Sequence, residues 1–175
     1  MMANKSVFLI SLLMMAFILP GCPYNSDTPL SPPEKAGIDA SLLGTWVMKK
    51  SPDPVNSCRI LQFNEHELLI IVQSRDEQDL YRAFTTTING VKFLNVRKIV
   101  DTSTDAAHWL FLRYTTVGDE LRYRYVEDTL PERDKLSSKT YIDLIKRNPK
   151  NPELYDAESD GVLVRTKDQL LPIHK

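Results

Sequence analysis

Two cysteines are too few for a disulfide framework or a thiolate metal cage, and the three histidines, His66, His108 and His174, follow no metal-ligand spacing. With six glycines there is no phosphate-cradling loop, and neither a Gly-x-Ser-x-Gly elbow nor a paired Cys–His arrangement occurs. His66 stands between Glu65 and Glu67 and reads as part of a solvated turn. Neither sign of charge dominates. The 22 Lys and Arg face 23 Asp and Glu, a net charge of −1, which removes the basic surface that nucleic-acid binding needs. These absences leave no signature of a cofactor, a metal site or an enzyme. What remains is 175 residues, 42% hydrophobic and 26% charged, the balance of one ordinary globular domain.

The first 21 residues are a different material. Lys5 precedes an apolar run over 7–19 broken only by Ser11. That run is too short to cross a bilayer core of roughly 30 Å as a helix. It has the size of the hydrophobic region of a secretory signal peptide. The exit, Leu19-Pro20-Gly21-Cys22, resembles a bacterial lipobox: an apolar residue three places before the cysteine and a small one just before it, with Pro20 unusual between them. The resemblance implies cleavage after Gly21, a diacylglyceryl group on the Cys22 thiol and acylation of the new α-amine. Pro23, where aspartate would signal inner-membrane retention, implies the periplasmic face of an outer membrane. The alternative is an ordinary signal peptide with a chance cysteine. More than one acyl chain suffices for stable anchoring.

Residues 22–41 carry Pro23, Pro29, Pro32 and Pro33 among polar residues and read as an extended tether. Removing 1–21 takes Lys5 and leaves 21 basic against 23 acidic residues. Cys58 is then the one free thiol, best read as a small buried hydrophobe with intermolecular pairing as the alternative, and an intramolecular disulfide is excluded by counting.

From residue 42 onward, short β-type runs alternate with turn residues. Strands are predicted over 44–50, 58–63, 67–74, 80–88, 91–100, 108–116 and 120–127, and a last one over 161–167. Asn89-Gly90 is the strongest hairpin signal, because a type I′ turn needs positive φ at both central residues. Gly118-Asp119 and Asn64-Glu65 mark further turns. Neighbouring hairpins make an antiparallel meander rather than a βαβ sheet. A helix is predicted over 130–148, capped by Ser137 or Ser138, with Tyr141, Leu144 and Ile145 on one face and a stop at Asn148-Pro149. Glu132, Arg133, Asp134 and Lys135 read as its exposed start.

Eight strands and one helix before the last strand suit a mainly β, eight-stranded antiparallel up-and-down barrel, because closure removes sheet edges. A two-sheet sandwich is the alternative. The first strand opens with Gly44-Thr45-Trp46 and the last carries Val164-Arg165. This is similar to the calycin pattern of lipocalins, in which a Gly-x-Trp opens the barrel and a late arginine lies over the tryptophan ring. The resemblance implies a lipocalin-like domain over 42–167, a loose tail over 168–175, and structural roles for Gly44, Trp46 and Arg165. It does not extend to the family's Thr-Asp-Tyr motif, since the chain reads Thr115-Thr116-Val117-Gly118-Asp119. Lipocalins also place their helix after the eighth strand.

Strand alternation puts Leu110, Leu112 and Tyr114 on one face with Leu121, Tyr123 and Tyr125. That face is the natural interior, either filled core or the wall of a ligand cavity. The opposite face carries Trp109, Phe111, Arg113, Arg122, Arg124 and Val126. Arg113, Arg122 and Arg124 would repel one another there. Either carboxylates neutralise them, or they accept an anion such as a carboxylate or phosphate headgroup. The expected function is therefore a membrane-anchored periplasmic lipoprotein that binds a small apolar or amphipathic ligand, or a lipid. The alternative is an envelope protein–protein module, such as an assembly factor or hydrolase inhibitor.

Overall fold

A computed structural model of the chain describes residues 24–50, 52, 56–99, 108–127, 137–155 and 160–166. The apolar run, Cys22, residues 130–136 of the expected helix and the tail over 168–175 lie outside these. Eight strands form one closed barrel in sequence order. They are β1 (Gly44–Met48), β2 (Ser57–Gln62), β3 (Leu68–Gln73), β4 (Gln78–Ile88), β5 (Val91–Lys98), β6 (Trp109–Val117), β7 (Glu120–Tyr125) and β8 (Gly161–Arg165). Every neighbouring pair is antiparallel, and β8 returns to β1 through Trp46↔Arg165, Val47↔Val164 and Met48↔Leu163.

The turn chemistry explains the meander. Asn89 and Gly90 take φ of 49° and 77°, both positive as a type I′ turn requires. Between β6 and β7 the positive φ falls on Gly118 alone (57°), the type II′ pattern, and Val117 pairs with Glu120 around it. At 64–67, Asn64 Oδ1 accepts from the backbone N–H groups of His66 and Glu67, both at 2.8 Å, which closes an Asx turn. These three turns share one end of the barrel. The last residues of β1, β3, β5 and β7 and the turn over 74–77 lie at the other, here called the open rim.

One α-helix lies before the last strand among the described residues: α1 (Ser138–Arg147), whose N-cap Ser137 accepts from Thr140 N–H at 3.3 Å. It packs on the outside of the barrel. Tyr141, Ile142 and Ile145 are buried there, whereas Leu144, expected on the buried face, is 37% exposed. The periodicity fits both assignments, and the outward aromatic residues Phe93 and Phe111 select the first.

The expected tether is not one from Tyr24 onward. Residues 24–43 form a strap that runs the length of the barrel. At the open rim Tyr24 N–H donates to Val126 C=O at 3.0 Å, and Ser26 and Trp109 exchange two backbone bonds of 2.9 and 2.7 Å. Midway, Leu30 N–H donates to Asn95 Oδ1 at 2.9 Å. At the far end the chain turns across the barrel bottom through Ala36 to Leu43. Tyr24 and Leu30 are 2% and 1% exposed. They find partners because β5 and β6 are apolar on their outer faces too, and a solvated Phe93 or Phe111 would be costly. The protein thus has two cores, one inside the barrel and one between barrel, strap and helix.

Candidate functional site

The closed end is plugged by side chains. The Arg165 guanidinium carbon stands 4.4 Å from the centroid of the Trp46 ring. Its nitrogens donate to the carbonyls of Leu43 and, at 2.8 Å, Ser41. Gly44 packs under that guanidinium, and Trp46 Nε1–H donates to Leu42 C=O at 2.8 Å. Cation–π stacking of this kind is worth on the order of 0.5–2 kcal/mol. Beside it, Asp39 accepts from Lys92 Nζ at 2.6 Å, Tyr114 O–H at 2.9 Å and Ser41 O–H at 2.6 Å. Burial raises the Asp39 carboxyl, but those donors, together with Ser41 N–H at 3.1 Å, outweigh it and hold it down to about 2.

Above the plug the barrel is hollow. A cavity of about 390 Å³ extends from Leu42 and Trp46 to Asn56, Ser57, Gln73 and Ser74 near the open rim. Leu112, Tyr114, Tyr123 and Tyr125 line it, with Leu110 and Leu121, as the alternation predicts. Ile60, Ile70, Val72, Leu94, Val96 and Leu163 complete the apolar wall. Cys58 and Tyr81 face it as well. In the sequence Cys58 reads only as a buried hydrophobe and Tyr81 is not placed; their alternation with the buried Ile60 in β2 and Ala83 in β4 is the signal that could have found them. Among the described residues, not one that lines it is charged. Burial pushes the Cys58 thiol up to about 12 and, with help from Tyr125 and Cys58, Tyr123 up to about 12. Burial also raises Tyr125. The described wall is therefore neutral over the physiological range.

Tyr123 is held by a close approach. It pairs with Gly161 across β7 and β8, and its ring lies over the glycine so tightly that a Cβ there would overlap its Cζ, Cε1 and Oη atoms. Its ring meets that of Tyr125 edge-on, centroids 5.8 Å apart.

The three arginines lie on the outer face. Arg113 and Arg124 are direct register partners. Arg124 is forked onto Asp160, Arg122 donates to Glu120 at 2.9 Å, and Arg113 stacks over Tyr155 at 5.3 Å. Carboxylates thus occupy the guanidinium forks of Arg122 and Arg124. A hollow of about 350 Å³ borders all three arginines, and Asp160 belongs to its lining. Cys22 lies outside the described residues. Among the described residues no three His, Cys, Asp or Glu gather as metal ligands, and no helix is long and apolar enough to cross a membrane.

Fold and site together define a class: a closed eight-stranded up-and-down β-barrel plugged at one end, with an internal cavity that no charged side chain lines among the described residues. No protein-family model matches the chain, and no curated protein or solved structure matches it.

Proposed function

We propose that this protein is a lipid-anchored envelope lipoprotein whose lipocalin-like barrel sequesters one small apolar or weakly amphipathic molecule. The observation that carries the reading is the neutral cavity of about 390 Å³. Small-molecule sites run from roughly 300 to 1,000 Å³, apolar with a few placed polar groups. An apolar cavity of about 150 Å³ holds one benzene, so this one has room for on the order of 15 non-hydrogen atoms. A carboxylate or phosphate deep in this cavity would have no cationic partner among the described lining residues, which favours a neutral ligand or one whose charged head stays at the rim. The phenols of Tyr81, Tyr123 and Tyr125 line the cavity as donors for a carbonyl or hydroxyl, and Asn56, Ser57, Gln73 and Ser74 add polar groups nearer the rim. No bond is made or broken; the work is shielding from water.

The anchor is the lipobox reading of Cys22, and the outer-membrane address follows from Pro23 in the same resemblance. Titration of the full-length protein with N-phenyl-1-naphthylamine tests the binding reading. Saturable one-to-one fluorescence enhancement, displaced by a co-purifying mass seen in native mass spectrometry, supports it. An unresponsive protein that instead retains a specific envelope protein would replace it with the interaction-module reading.

A further inference from the structure

The strap has a second consequence, and it concerns direction. Cys22 is two residues from Tyr24, and two residues span at most about 7 Å however they are arranged. Tyr24 is not on a free stalk. It is 2% exposed, bonded to Val126 C=O at 3.0 Å, and its ring lies against those of Tyr141 and Phe111, centroids 4.1 and 5.9 Å away. Two residues on, Ser26 is bridged to Trp109. Trp109 opens β6 and Val126 follows β7, so both clamps sit at the open rim.

Strands of six to nine residues rise about 20–30 Å. The plugged end therefore lies far beyond the reach of residue 22. The strap needs the whole stretch from Tyr24 to Leu43 to get there. We infer that the open rim of the barrel, and with it the mouth of the cavity, faces the phospholipid leaflet that holds the acyl chains of Cys22. This rests on the lipoprotein reading above and adds an orientation to it. A ligand can then pass between leaflet and cavity without crossing bulk water.

The rim suits that contact. Leu80 and Ile99 are 36% and 44% exposed and adjacent, Ile99 N–H donating to Leu80 C=O at 2.7 Å. Met48 and Val72 line the cavity and are exposed at its mouth. Apolar side chains of this kind are accommodated at the boundary between headgroups and acyl chains. Phe63 and Val117 are exposed at the other end, so the position of the clamp, and not apolarity, decides the direction.

The two turns flanking β3 supply matched probes, since Glu77 lies at the rim and Glu65 at the plugged end, both exposed. Full-length protein with Cys58→Ala and either Glu77→Cys or Glu65→Cys is labelled with bimane and reconstituted into phosphatidylethanolamine–phosphatidylglycerol vesicles containing doxyl-labelled lipid. Mass spectrometry of the N-terminal peptide first establishes the acyl groups. Quenching several-fold stronger at position 77 than at 65 is the expected result. An acylated protein with equal quenching at both positions, or stronger quenching at 65, overturns the orientation and leaves the lipoprotein reading standing. An N-terminal peptide without acyl mass overturns both.

Discussion

Substituting Gly161→Ala isolates the contact that shapes the cavity wall. Gly161 has no positive φ, so its backbone accepts alanine, and the loss of unfolded-chain freedom alone would stabilise by about 0.4–1 kcal/mol. The side-chain space does not accept it. The new methyl would overlap the Tyr123 ring, which has to swing off the glycine toward the cavity centre. Overpacking of this type costs about 1–3 kcal/mol, so the net expectation is a loss of about 1–2 kcal/mol. In a Tyr123→Leu background the ring atoms that collide are gone, and the same substitution should become neutral or slightly stabilising. The coupling across the cycle is then about 2 kcal/mol. Urea unfolding followed by far-UV circular dichroism on all four proteins measures it. The displaced ring should also weaken N-phenyl-1-naphthylamine binding in Gly161→Ala alone. Equal effects of Gly161→Ala in both backgrounds would show that the ring does not rest on the glycine and would refute the argument.

Further outcomes follow from other parts of the site. Leu112→Trp fills cavity space, so probe affinity should drop at least tenfold in fluorescence titration while the urea midpoint holds or rises; undiminished binding would place the probe elsewhere. Asn95→Ala removes the acceptor of Leu30 N–H and the donor to Phe84 C=O and Thr86 Oγ1, all buried, and should lower stability by about 1–3 kcal/mol in urea unfolding. Asp39 is held below its ordinary value, so its contribution is full above about pH 4 and is lost as pH falls toward about 2. Asp39→Asn should therefore be less stable than the parent at pH 7, on the order of 2 kcal/mol, and the gap should close across that acid window in pH-dependent melts. Arg165→Gln gives up the stack on Trp46 and should cost about 1–3 kcal/mol, read by the same unfolding assay.

The barrel was legible because its signals are local. Asn89-Gly90 and Gly118-Asp119 set two hairpins, and period-two alternation then assigned Leu112, Tyr114, Tyr123 and Tyr125 to the interior. That alternation could not say whether the interior was filled, since hollow and packed walls use the same residues. The strap is not legible in the sequence for a physical reason. Its buried residues Tyr24, Leu30 and Ala36 stand six apart with polar and proline positions between them, so they form no run of alternating apolar residues, and they are buried only because another part of the chain offers a complementary surface. The clue lay there instead. Phe93, Asn95 and Phe111 point outward and are 0% exposed, so something had to cover them. Asn95 is hidden by partners more than eight residues away in sequence, a relation that composition does not encode. The arginines showed the opposite limit: their mutual proximity was visible, but Asp160, which neutralises Arg124, sits in a connection with no pattern of its own.

The seam where β1 meets β8 joins positions about 120 residues apart, as the bonds from Arg165 to Ser41 and Leu43 record. Until the last segment arrives, the growing polypeptide is an open ribbon with two bare edges, each able to recruit another copy. A nonsense codon or proteolytic cut near residue 160 would therefore do more than trim the molecule: it would yield an aggregation-prone species in place of a slightly shorter one.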